Sequence, residues 1–322
     1  MRKTRAGAVY CCPMTAPAVS YRPLAPADAA DSFRVFRDAL NDYLARAGQE
    51  LMPDEDDQTP GLLHTLRTDG PRCWGAEQSG ELVAWGTALQ RGDWWFLSSL
   101  FVLPQVQGLG VGRELLRRCL EGADGASVFA TVTDSLQPVS NTLYARRGML
   151  PREALLGLGG VPRLTALGPA RPSAPNAGRA GLDPEPLTPA SVPDLCAVDA
   201  GVMGIDRAVD HAFYLAEGGR RGWLFRRAGR PVAYVMYRLN GYVGPLACRD
   251  SSDVRAVLRH ALTGLVAHGI EQVRVNLPAS CEEAQRLLWD AGLSFAATPG
   301  LLLASRPFGR LDRYVPAGYG ML

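Results

Sequence analysis

Two periods alternate along the chain, and each change of period marks an element. A short alternating stretch near 19–23 predicts a strand. Helical spacing covers about 28–47 and 58–68. Strand patterns follow near 72–77, 81–90 and 94–103, separated by turn residues. A helix is expected over about 110–121, with Val111, Leu115, Leu116 and Leu120 on one face. Then come a strand near 126–132, a helix near 138–147 and strands near 152–157 and 162–167. This order predicts a mixed α/β layer structure with antiparallel hairpins first and a β-α-β-α unit after them.

The pattern breaks between Pro169 and Pro186, where Pro, Ala, Gly and Asn dominate without apolar periodicity. That composition reads as an interdomain linker. The segments on either side echo each other. Tyr21–Asp28 resembles Glu185–Ser191, Gly80–Trp85 matches Gly229–Tyr234, and Leu143–Met149 matches Leu287–Leu293. Three echoes in the same order indicate a duplicated fold. The expected organisation is a disordered extension over 1–14, a first domain over 15–168, a linker over 169–184 and a second domain over 185–322.

Length agrees with this, since 322 residues suit two domains better than one. No apolar run reaches the roughly 18 residues of a membrane span, and the basic, briefly apolar N-terminus is too short for a secretory signal. The net charge of +2 gives no field for nucleic acid. All basic residues but Lys3 are arginine, a bias that reads as codon composition, so arginine clusters alone do not mark phosphate sites. Seven scattered cysteines without a C-x-x-C pair, and four dispersed histidines, argue against a disulfide framework and a metal site. A cytoplasmic protein is expected.

The most specific segment runs from Leu97 to Leu116. A strand enters a turn, Gln107-Gly108-Leu109-Gly110-Val111-Gly112, which opens an amphipathic helix. Glycines let the backbone approach a ligand closely, and the unpaired N–H groups of a helix start, aided by its dipole, form an anion site. No Gly-Lys-Ser/Thr follows, which excludes a Walker loop. The glycine spacing and the antiparallel strands before it disfavour a dinucleotide fold.

This segment resembles the central motif of the GNAT acetyltransferases, Q/R-x-x-G-x-G/A after a strand ending in V-x-P, with Gln107, Gly110 and Gly112 at its defining positions. A second stretch, Asn141-Thr142-Leu143-Tyr144-Ala145-Arg146-Arg147-Gly148-Met149, is similar to the family's N-x-x-x-x-Y-x-x-x-G-F pattern with tightened spacing. The resemblance covers about 19–168. It implies two tandem GNAT-like acyl-CoA N-acyltransferase folds of the α/β (α+β) class, each a mixed, mostly antiparallel sheet flanked by helices. It implies acetyl-CoA as cofactor, held between two splayed strands. Backbone groups of Phe101 and Val102 would meet the pantetheine arm and the thioester carbonyl. Gln107, Gly108, Leu109, Gly110, Val111 and Gly112 would cradle the pyrophosphate, and Asn141 would bind the pantetheine side. Tyr144 is the candidate general acid for the departing thiolate. Many family members carry a glutamate base on the strand before the turn. Here Ser98 stands at that position, which leaves three alternatives: a water chain, a carboxylate from another loop, or a mildly basic acceptor that needs no strong base.

Other features read as structure. The acidic run Asp54–Asp57 is a solvated loop or an attractor for a cationic amine, and Trp85, Trp94 and Trp95 are core. The second half lacks the spaced glycines. Asp250–Asp253 cap its corresponding helix, and Leu288 and Gln285 stand where Tyr144 and Asn141 would. It therefore reads as a degenerate domain without a cofactor motif. The expected protein is a monomeric or homodimeric N-acetyltransferase acting on a small-molecule or peptide amine, without metal, nucleic acid or membrane. A non-catalytic acyl-CoA-binding sensor is the second reading.

Overall fold

The computed structural model describes residues 18–52, 59–167, 181–216 and 219–321. The expected extension 1–14, the acidic run Asp54–Asp57 and residues 169–180 of the expected linker lie outside the described residues.

The first half runs β1 (Ser20–Pro23), α1 (Ala29–Arg46), α2 (Thr59–Thr68), β2 (Cys73–Gln78), β3 (Glu81–Arg91), β4 (Trp94–Val102), α3 (Val111–Glu121), β5 (Val128–Asp134), α4 (Pro138–Ala145) and β6 (Leu150–Gly160). The second repeats the order: β7 (Asp183–Pro186), α5 (Val192–Val202), α6 (Ala208–Leu215), β8 (Arg220–Arg227), β9 (Arg230–Arg238), β10 (Tyr242–Cys248), α7 (Val254–Ala267), β11 (Val273–Pro278) and α8 (Glu282–Asp290). Three short strands close the chain: β12 (Ser294–Phe295), β13 (Gly300–Ala304) and β14 (Tyr314–Val315). Strand β7, the first of the repeated order, begins at Asp183.

Local chemistry repeats between the halves. The turns into β3 and β9 each place two residues at positive φ, Ser79 and Gly80 in one and Ala228 and Gly229 in the other. That geometry matches the twist of a tight hairpin. Helices α4 and α8 both stop at a left-handed glycine, Gly148 and Gly292. In each, an N–H beyond the glycine reaches back five residues, Met149 to Tyr144 O and Leu293 to Leu288 O, as in a Schellman cap. Tyr144 and Leu288 therefore occupy the same position in their respective halves.

The two halves share one sheet, ordered β1-β2-β3-β4-β5-β13-β6-β11-β10-β9-β8-β7. Strand β13 of the second half inserts between β5 and β6 of the first, pairing Gly300 with Asp134 and with Leu155. Strand β6 in turn pairs with β11 along Val273–Pro278. Each half is completed by a strand of the other. This corrects the expected strand at 162–167. The first half ends in one long strand, Leu150–Gly160, and Leu164–Leu167 forms a 3-10 turn instead. The edge an extra strand would have occupied is taken by β11, and Leu164 and Leu167 pack on the second half's core.

A buried ionic network joins the halves. Arg91 on β3 donates to both carboxylate oxygens of Asp210 on α6 at 2.7 and 2.6 Å, and to Asp69 at 3.0 Å. His64 on α2 meets Asp210 Oδ1 at 2.8 Å and stacks on Phe213. Burial alone would raise the Asp210 carboxyl, but Arg91 and His64 outweigh it and hold it well below the usual carboxylate range. A second buried set, Asp199 with Arg207, His211 and Tyr234, stabilises the α5–α6 layer.

Candidate functional site

Strands β4 and β5 run parallel and pair only from Trp94–Val128 to Leu97–Thr131. Beyond that point they diverge. A bulge causes the departure: β3 pairs Thr87 with Ser99 but Ala88 with Leu97, so Ser98 is the extra residue. From Ser98 onward β3 is the only strand paired with β4 among the described residues, and the outer edge of β4 faces an open wedge.

Strand alternation decides which groups face the wedge. Leu103 N–H bonds Val83 O at 2.9 Å, and Phe101 stands opposite Trp85 in the same phase. The N–H of Phe101 is thus directed into the β3 ladder, while those of Leu100 and Val102 point outward. Of the two residues expected to offer backbone groups, Val102 is the one so placed. Its carbonyl accepts from Gln107 Nε2 at 2.9 Å.

The chain then makes a 3-10 turn and enters the glycine-rich segment. Gly108 and Gly110 have φ of 77° and 85°, which favours glycine. At both, a Cβ would project into open space. Gly112 is different: its Cβ would lie 3.4 Å from Val102 Cγ2, so it lets α3 sit close to β4. Gly110 caps α3, and the first helical bond runs from Glu114 N–H to Gly110 O at 3.1 Å. The N–H groups of Val111, Gly112 and Arg113 precede that bond and are the free donors of the helix start. Leu109, 65% exposed, projects outward between the two glycines. Behind the turn, Val111, Leu115, Leu116 and Cys119 are buried and anchor the helix to the sheet.

Across the wedge, Asn141 on α4 donates weakly to Asp134 O and Ser135 O, and its buried Oδ1 has no partner among the described residues. A buried acceptor without a donor is costly, and it suits an amide N–H entering the wedge. Tyr144 lies one turn further on, 5% exposed, packed with Trp95, Leu97, Leu116 and Leu303. Its hydroxyl faces Ser140, and burial pushes the phenol well above its usual range. Trp85, Trp94 and Trp95 are core, as expected from their pattern.

The corresponding wedge in the second half is filled. Strands β10 and β11 pair only at Tyr242–Arg274 and Val243–Val275. The irregularity in β10 falls between Val243 and Leu246, just before the divergence. There β14 adds to β10, pairing Val315 with Leu246 and Tyr314 with Ala247. Asp250 accepts from Ser252 N–H and caps the next turn, while buried Asp253 pairs with Arg227. Gln285 and Leu288 face into the core. Nothing in the local sequence announced that β14 would occupy this gap.

No group of His, Cys, Asp and Glu suited to a metal occurs among the described residues, and no described helix is long and apolar enough to cross a membrane. Residues 34–149 match the family model of the acetyltransferase (GNAT) family. A Pyrococcus horikoshii protein described as an acetyltransferase has a similar structure, with TM-score 0.72, 16% identity and full coverage of both chains. A GCN5-related N-acetyltransferase of Sphaerobacter thermophilus has TM-score 0.59 at 16% identity, covering 93% of this chain and 100% of its own. A tandem GNAT protein from the clavulanic acid biosynthesis pathway has TM-score 0.55 at 15% identity, covering 90% of this chain and 99% of its own. At these identities the likeness is one of fold. No curated protein matches the sequence.

Proposed function

We propose that the first half is an acetyl-CoA-dependent N-acetyltransferase acting on a primary amine, a reading supported by the match of residues 34–149 to the GNAT family model and by the likeness of the fold to a tandem GNAT protein. The observation that carries this reading is the wedge beyond Leu97 and Thr131, with a positive-φ glycine cradle and free helix N–H groups at its mouth.

Acetyl-CoA fits the residues present. Gly108 and Gly110 leave room for the pyrophosphate against the backbone, and the N–H groups of Val111 to Arg113 would donate to it. The outward N–H of Val102 is placed as an oxyanion donor, and Asn141 Oδ1 as an acceptor for the pantetheine amide. When bound, acetyl-CoA supplies an activated acyl carbon. Tyr144, kept protonated by burial, would give its hydroxyl proton to the departing sulfur.

In this reading the second half binds no cofactor, because β14 occupies its wedge and its glycines are absent. The domains divide at the stretch before Asp183, with strands exchanged across the division. Isothermal titration with acetyl-CoA is expected to give one site per chain. Two sites would overturn the assignment of the second half, and none would overturn the cofactor reading. Tyr144→Phe is expected to lower kcat on the order of 100-fold, the low end of general acid catalysis, with acetyl-CoA affinity unchanged. Full turnover in that variant removes Tyr144 from the mechanism.

A further inference from the structure

The last residues of the chain cross from the second half onto the open wedge of the first. They are anchored first: β14 pairs with β10, Tyr242 Oη donates to Pro316 O at 3.4 Å, and Arg220 donates to Ala317 O at 2.8 Å. Beyond Gly318 the chain lies on the first half. Gly320 O accepts from Ser98 Oγ at 2.7 Å, 222 residues away in sequence. Met321 Sδ lies 3.8 Å from where a Gly61 Cβ would be, on α2, and the Tyr319 ring sits against Gly300, itself paired with Asp134.

These contacts identify one face of the wedge. Alternation along β5 puts Asp134 on the same side as Val132, which packs in the cluster that also holds Tyr319 and Met321. Tyr144 belongs to the other face, with α3. Asp134 closes β5 and is half-buried. Its Oδ1 accepts the Leu136 N–H at 2.8 Å, and among the described residues no Lys, Arg or His forms an ion pair with it. The Tyr43 hydroxyl on α1 faces it, and burial together with that carboxylate pushes Tyr43 up to about 12. A carboxylate without a cation, between two tyrosines and beside the bulge at Ser98, has the chemistry of a site for an ammonium group.

We infer that the acceptor amine is seated on this face, beneath the segment Gly318–Met321, and that Asp134 takes its proton during acyl transfer. The inference rests on the acyltransfer reading above. The seated ammonium first gives one proton to Asp134, which passes it to solvent, and the lone pair so freed forms the C–N bond to the thioester carbon as the C–S bond breaks. The second proton, which nitrogen loses once the C–N bond has formed, follows the same route. The sulfur takes the Tyr144 proton, which solvent replaces. The second half would then supply part of the acceptor site, since Gly320 holds the Ser98 hydroxyl in place.

The test is turnover by the full chain on a panel of primary amines (alkylamines, arylalkylamines and amino-acid amides), followed by thiol release. Asp134→Asn preserves the acceptor for Leu136 and removes the charge. It is expected to lower kcat on the order of 100-fold with acetyl-CoA affinity unchanged by calorimetry. The deficit should shrink as pH rises toward about 10, where free amine becomes abundant. Gly320→Val, whose Cβ would lie 3.3 Å from Ser98 Oγ, should raise KM for the amine and leave acetyl-CoA binding intact. A kcat equal to wild type in Asp134→Asn, or a deficit that does not change with pH, overturns the inference while leaving the acyltransfer reading standing. Wild-type protein that binds acetyl-CoA but turns over no amine in the panel overturns the inference and the enzyme reading together. Failure to bind acetyl-CoA at all sinks the reading on which it rests.

Discussion

Gly110→Glu is expected to weaken acetyl-CoA binding by about 100-fold or more, a loss of roughly 3 kcal/mol, in a protein that still folds. Three effects act together. Gly110 has φ of 85° and is the N-cap of α3. A glutamate there adopts a left-handed backbone at a cost of about 1–2 kcal/mol. Its Cβ enters the space that the bound anion requires, which is open in this structure. Its carboxylate competes for the N–H groups of Val111 to Arg113 and repels a phosphate at the same spot. The fold tolerates the change because no neighbouring atom lies within 4 Å of the added Cβ. Gly110→Ala separates the causes, since it carries the backbone strain without the charge, and its affinity should fall between the two. Calorimetry measures the binding and circular dichroism the fold. An unchanged dissociation constant in Gly110→Glu would remove the cradle from the site.

The second large effect lies at the junction of the halves. Asp210→Ala is expected to destabilise the protein by about 3–5 kcal/mol, the usual loss when one member of a buried ion pair is deleted. Asp210 receives two hydrogen bonds from Arg91 and one contact from His64, all within 2.8 Å, and all three side chains are buried. Without it, Arg91 keeps Asp69 and the Gln90 carbonyl, and His64 loses its buried partner. Urea denaturation followed by fluorescence reads the change. Because Arg91 and His64 belong to the first half and Asp210 to the second, the midpoint should shift for both halves together. A change below about 1 kcal/mol, in the range of exposed pairs, would show that the exchanged strands carry the junction unaided.

The two predictions differ in how far the sequence alone supports them. The glycine turn from Gln107 to Gly112 could be read directly, because such a turn is a local device. A strand, three spaced glycines and an amphipathic helix lie within about twenty residues, and positive φ at Gly108 and Gly110 follows from the residue type. The glycine stops of α4 and α8 were legible for the same reason, and with them the correspondence of Tyr144 to Leu288. So was the different turn of the second half, where Asp250 caps a 3-10 turn in place of spaced glycines. Asp210 carries no such signal. Its partners are 119 and 146 positions away, and a charged residue on a short helix looks like surface until the halves are docked.

What the sequence determined by itself is therefore the order of elements, the duplication and the glycine turn, since these depend on backbone preference and on periodicity within one element. The tertiary structure decided how those elements share a sheet. Strand pairing is set by edges and by burial over long separations, so the placing of β13 between β5 and β6 was not written in any local pattern. The same holds for β14, which fills one wedge of two similar ones, and for Ser98, whose hydroxyl is held by a carbonyl near the far end of the chain. Each of these contacts requires the two halves to be packed on one sheet, because only there do their free edges and polar groups meet.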